Sequence, residues 1–185
     1  MKYLLSLPVI LLLVSCKPQI LDGPGMVHEL DHRDSIAYGL TPESDELRQR
    51  TAEIYAAVEK AYSDFGTDSS EADLDERFCS KAWRNAVKSV TDKEKRTGDL
   101  CLDADHWVMG QDVCDFHADS INVDHYYFEE PKSARMSLKV HNCGGTTPVH
   151  IILVIEDGKW VIDNFIDIKN NLDWRQSMDD YLKGK

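Results

Sequence analysis

Leu47, Thr51, Ile54, Tyr55, Val58, Tyr62 and Phe65 recur every three or four positions, which predicts a helix with one buried face. Thr41 is placed to cap it, Pro42 suits its first position, and Glu43 and Asp45 favour its positive end. Gly66 closes the segment. A second helical stretch carries Leu74 and Phe78. Ser80 is positioned to cap a third, with Trp83, Ala86, Val87 and Val90 on one face and Gly98 beyond its end.

The period changes after Gly98. Residues 99–117 are rich in Asp and aromatics without a helical repeat, which predicts a long loop. From Ser120 the alternation is two. In Arg135–Asn142, Met136, Leu138 and Val140 share one face, and Arg135, Ser137, Lys139 and His141 the other. Val149–Glu156 and Lys159–Asp167 flank Asp157-Gly158, a strong hairpin signal. A regular register through that turn pairs Glu156 with Lys159, Ile155 with Trp160, Leu153 with Ile162, Ile151 with Asn164 and Val149 with Ile166. It makes one face apolar except for Asn164. The opposite face holds Ile152, Val154, Val161 and Phe165 among polar residues, an apolar patch that would suit a homodimer. Asp173 then caps a short terminal helix bearing Trp174, Met178, Tyr181 and Leu182. Helices followed by antiparallel strands mean α+β with segregated layers.

The first forty residues have a different character. Met1-Lys2 precedes an apolar run from Tyr3 to Leu13, interrupted only by Ser6 and Pro8 and too short to span a bilayer. Leu13-Val14-Ser15-Cys16 resembles the bacterial lipobox, in which the cysteine is lipidated and becomes the first mature residue. Residues 1–15 are therefore expected to be a lipoprotein signal peptide and Cys16 the lipid attachment site. Residues 16–40, broken by Pro18, Gly23, Pro24 and Gly25, read as a tether, and 41–185 as a single domain. The expected location is the bacterial cell envelope, with the lipid in the outer membrane.

Composition narrows the partners. The chain holds 33 acidic against 21 basic residues, for a net charge of −12. Such a surface disfavours nucleic acid and electrostatic docking on anionic lipid, so membrane attachment must come through the lipid anchor. Four cysteines beyond Cys16, namely Cys79, Cys101, Cys114 and Cys143, favour two disulfides in an exported chain, with three pairings open. Cys101 and Cys114 bracket one loop and are placed to close it locally. Without a CxxC pair, metal is the weaker reading.

The order of elements, the segment Asp103-Ala104-Asp105-His106-Trp107-Val108-Met109-Gly110-Gln111-Asp112 and the hairpin Glu156–Ile162 resemble a family of exported bacterial proteins, domain of unknown function 3828, in the nuclear transport factor 2-like (cystatin-like) superfamily. The resemblance covers roughly residues 43–184. It implies helices wrapped on a curved antiparallel sheet to form a cone with a pocket. It implies no reaction, because the superfamily includes both enzymes and binding modules.

Asp103, Asp105, Gln111 and Asp112, with Trp107 beside them, are candidates for the mouth of such a pocket and for binding a polar ligand or cation. The competing expectation is that these Asp side chains bond loop amides and shape a turn. Asn164 is either a pocket residue or a satisfied core amide. His28-Glu29-Leu30-Asp31-His32 matches HExxH but lies in the tether, where the match is read as accidental. The remaining histidines, His106, His117, His125, His141 and His150, are scattered, though His125, His141 and His150 occupy different strands of one sheet. Neither a metal nor a cofactor is expected. The function expected is binding of a small molecule or envelope protein. The alternative is a cofactor-independent dehydratase, isomerase or cyclase using a pocket Asp or His.

Overall fold

The computed structural model describes residues 42–63, 71–101, 103–127 and 132–185. The signal peptide, Cys16, the tether, the HExxH match, Thr41, Phe65 and Gly66 lie outside the described residues. Three helices come first: α1 (Pro42–Ser63), α2 (Glu71–Phe78) and α3 (Lys81–Thr97). Strands β1 (His117–Tyr127), β2 (Ser133–Asn142), β3 (Gly145–Glu156), β4 (Lys159–Asp167) and the two-residue β5 (Leu172–Asp173) follow, then α4 (Trp174–Lys183). The sheet is an open antiparallel meander in the order β1-β2-β3-β4-β5. Helix α1 packs on β1, while α3 and α4 pack on each other and reach β4. Among the described residues no helix is long and apolar enough to cross a membrane.

Capping follows the sequence closely. Ser80 accepts from the Trp83 amide at 2.9 Å, and Gly98 ends α3 in the left-handed conformation at φ 79°. Asp173 accepts from the Gln176 amide and starts α4. The core face of the sheet is equally legible in β2, where Ala134, Met136, Leu138 and Val140 are all buried. Burying Met136, Leu138 or Val140 stabilises the fold by about 1.5–3 kcal/mol each, and Ala134 by less.

The last hairpin departs from the regular register. Pairing follows the expected order from Glu156–Lys159 through Leu153–Ile162, but Ile152 then meets Asn164 and Ile151 meets Phe165. Asp163 is an extra residue, a β-bulge that turns every later side chain of β4 to the other face. Asn164 therefore leaves the apolar face, and the expected Ile151–Asn164 and Val149–Ile166 pairs do not form. Phe165 takes the core position, fully buried, in a row with Met136 and Ile151. The apolar patch proposed from sequence for the opposite face loses Phe165 to the core, and Val161 is also buried. Ser80 anchors the bulge: its hydroxyl donates to the Asp163 carboxylate, and its amide donates to the Ile162 carbonyl at 2.8 Å. The α2–α3 link thus covers the start of β4, while β5 covers its end.

Among the described residues one disulfide forms, Cys114–Cys143, whereas Cys79 and Cys101 are free thiols. This corrects the expectation of two bridges. Cys79 is buried beside Asp75, with its thiol 3.6 Å from the carboxylate, and Cys101 faces the Ser177 carbonyl at 3.8 Å. Each thiol is committed to a different neighbourhood. Closing a loop of 29 residues stabilises the domain by about 3–4 kcal/mol, mainly by restricting the unfolded chain.

The packing centre is a buried carboxylate. Asp75 of α2 accepts from His106 Nε2 at 2.8 Å, Trp107 Nε1 at 2.9 Å and Trp83 Nε1 at 3.0 Å. Phe165 closes this cluster, its ring centroid 4.7 Å from His106 and 4.9 Å from both Trp83 and Trp107. Asp75→Ala removes the acceptor of three buried ring N–H groups and of the Cys79 thiol. We expect a loss of about 3–5 kcal/mol in chemical denaturation, with a matching fall in melting temperature.

Candidate functional site

The segment at 103–112 folds as a closed turn. Asp105 and Gly110 exchange backbone bonds, the Asp105 carboxylate accepts from the Trp107 amide at 2.7 Å, and the Tyr62 hydroxyl donates to its other oxygen. Gln111 donates to Asp103 at 2.7 Å on the exposed side. The Asp112 carbonyl accepts from Asn142 Nδ2 at 2.7 Å, which links the turn to the end of β2. Trp107 is fully buried against Asp75. Asn164 donates to Asp173 at 2.9 Å and accepts from the Arg175 amide at 3.0 Å, so it joins β4 to α4. Of the loop carboxylates, Asp105 bonds a loop amide, Asp103 accepts from a side chain, and Asp112 takes part through its backbone carbonyl. None of the six residues lines the groove described next.

That groove has a volume of about 880 Å³ and lies between α1, the α2–α3 junction and the β3–β4 hairpin. Phe78, at the end of α2, forms its apolar floor. Two guanidinium groups flank the ring: Arg77 at 4.6 Å and Arg50 at 5.7 Å from its centroid. Arg50 is fixed by donating to the Trp160 carbonyl at 3.0 Å. Arg84 pairs with Glu76 and approaches Glu156 at 3.8 Å. Lys81 lies 3.1 Å from Asp157, and its amide donates to Glu156 at 3.0 Å, capping α3 with a carboxylate from the hairpin. Arg77 and Lys159 have no carboxylate partner among the described residues. Five cationic and five acidic side chains therefore line one groove of a chain whose net charge is −12.

Sequence reasoning missed this groove, because its residues come from three separate stretches and none forms a motif. It also missed the Asp75–His106 pair, whose members are 31 residues apart. Both are almost fully buried beneath indole and phenyl rings, so the pair is enclosed rather than open to a substrate.

The strand histidines separate. His125 packs edge-on against Tyr127 at 4.2 Å, whereas His141 stacks on His117 rather than meeting His125 or His150. His150 sits half-buried on the outer sheet face, 4.0 Å from Asp124, which also pairs with Arg135. Burial pulls its pKa below the ordinary 6.5; Asp124 opposes the shift and Arg135 adds to it.

Compared with known protein families, curated proteins and solved structures, the chain has no match.

The lowered His150 pKa has a definite sign. The fold favours the neutral ring, so below pH 6.5 the unfolded chain takes up a proton that the fold resists. His150 thus weakens the fold as pH falls through 6.5 towards its folded value. A proton NMR titration should place this ring below 6.5. His150→Gln should lose less stability than wild type between about pH 7.5 and 5.5.

Proposed function

We propose that this chain is a lipid-anchored module of the bacterial cell envelope that binds an anionic small molecule in the groove around Phe78. The groove carries the reading: Arg77, over the Phe78 ring, and Lys159 both line it without carboxylate partners among the described residues, while Arg50, Lys81 and Arg84 each lie within 3.8 Å of a carboxylate. A carboxylate or phosphate on an aromatic or aliphatic body would satisfy both features, with a planar guanidinium for the anion and Phe78 for the body. The acidic side chains of the same groove, Glu46 and Glu53 among them, would repel ligands carrying many negative charges.

Membership of the nuclear transport factor 2-like superfamily, with a curved sheet around a pocket, is part of the proposal. It is supported by the order of helices before strands and by bulges in β1 and β4, since bulges bend and twist a strand. The lipid anchor is supported by Leu13-Val14-Ser15-Cys16. The Cys114–Cys143 disulfide agrees with export to an oxidising compartment. An enzymatic reading has less behind it, because the Asp–His pair that forms is sealed in the core.

Two experiments test these statements. Cys16→Ser should move the protein from the membrane to the soluble fraction of the envelope; unchanged fractionation would refute the anchor. A native mass spectrum of protein released from membranes should show an added non-covalent mass. That mass should disappear in Arg77→Ala and Lys159→Ala with melting temperatures within about 2 °C of wild type, as expected for surface substitutions. A bare spectrum for wild type would count against a small molecule and favour an acidic protein segment.

A further inference from the structure

At the start of β1 the antiparallel register sets His117 directly opposite His141 and Asp119 opposite Lys139. His117, Asp119 and His141 share the sheet face opposite the one that buries Val140. The two imidazole rings lie parallel, 4° apart in plane with centroids 4.4 Å apart. The Asp119 carboxylate lies 3.2 Å from His141 Nε2. One potential ligand atom from each of the three side chains falls within 4.8 Å of the others.

The rest of each ring is already occupied in the way a metal ligand requires. His117 Nδ1 is 3.4 Å from the Asp115 carbonyl, which only accepts, so a bond there requires the proton on Nδ1 and leaves the lone pair on Nε2. His141 Nδ1 contacts the Thr146 hydroxyl at 3.0 Å, across the β2–β3 turn. Partners of this kind orient the ring and tune its basicity. Next to the cluster, the Cys114–Cys143 disulfide clamps the chain just before β1 to the chain just after β2. The backbone carrying both histidines is thus held in register before any ligand arrives.

We propose that His117, Asp119 and His141 form a binding site for one divalent transition-metal cation, of which zinc is the representative. Two imidazole nitrogens and a carboxylate oxygen suit zinc, copper and nickel rather than calcium or magnesium, which prefer all-oxygen shells. Zinc–ligand bonds of about 2.0–2.1 Å place ligand atoms about 3.3 Å apart, so the exposed His117 ring must turn out of its parallel stack on His141 for both lone pairs to meet one ion. Three protein ligands leave a coordination position facing outward, for water or a donor from another molecule.

The test is a zinc titration of the full chain against a chromophoric chelator, with far-UV circular dichroism and melting curves for each variant. Wild type should take up one zinc per chain. His117→Ala, Asp119→Asn and His141→Ala should each weaken it at least tenfold. Thr146→Val, which removes only the hydroxyl that contacts His141 Nδ1, should weaken it about tenfold or more. His28→Ala, in the HExxH match, should bind as wild type does. The proposal is overturned if wild type takes up no stoichiometric zinc, or if His117→Ala and Asp119→Asn bind as tightly as wild type. Loss of zinc in His28→Ala alone would instead assign the metal to the HExxH segment. Should His141→Ala fail to fold, the exposed positions His117 and Asp119 still decide the matter.

Discussion

The fold is organised around the Asp75 carboxylate. Moving a charged group out of water is costly, and the cost is met here only because both oxygens accept bonds from rings that are themselves buried. The donors come from different parts of the chain: Trp83 from α3, and His106 and Trp107 from the turn that precedes the sheet. A hydrophobic contact would have allowed these parts to slide. Three directional bonds to one carboxylate fix their relative positions, and so fix how the helices sit on the strands.

The bulge at Asp163 belongs to the same arrangement. Without the extra residue, β4 would direct Asn164 into the core and Phe165 outward. With it, Phe165 enters the ring cluster over Asp75 and excludes water from the carboxylate. Ser80 ties the two features together, since it caps α3 beside Trp83 and also holds the bulged Asp163. Asn164, displaced to the other face, links β4 to the N-terminus of α4 instead. A local irregularity in one strand thereby serves both the core and the docking of the last helix.

The two surface features lie on different parts of this frame. The groove forms where the α2–α3 junction meets the tip of the β3–β4 hairpin, and its cations come from α1, α2, α3 and the start of β4. The histidine pair depends instead on the β1–β2 register and the adjacent disulfide. The protein is strongly acidic overall, whereas the groove is lined by five basic and five acidic side chains, a local balance that packing produces and composition does not.

Local signals in the sequence determined the elements. Pro42, Ser80, Gly98 and Asp173 marked helix ends because capping satisfies backbone groups within a few residues. Alternation through Arg135–Asn142 and the Asp157-Gly158 turn marked strands for the same reason. The loop carboxylates at 103–112 were visible as a group, and their two possible roles differed only in what surrounded them. What the tertiary structure alone decided were the contacts between distant segments. These were the partner of Cys114, the burial of Asp75 with His106, the bulge at Asp163, the groove around Phe78 and the stacking of His117 on His141. Each depends on which surfaces meet after collapse. A regular hairpin register, for example, is the simplest extension of the Asp157-Gly158 turn. It yields to a bulge because filling the ring cluster with Phe165 outweighs the ladder bonds lost at one position. Spacing along a chain carries no record of that competition.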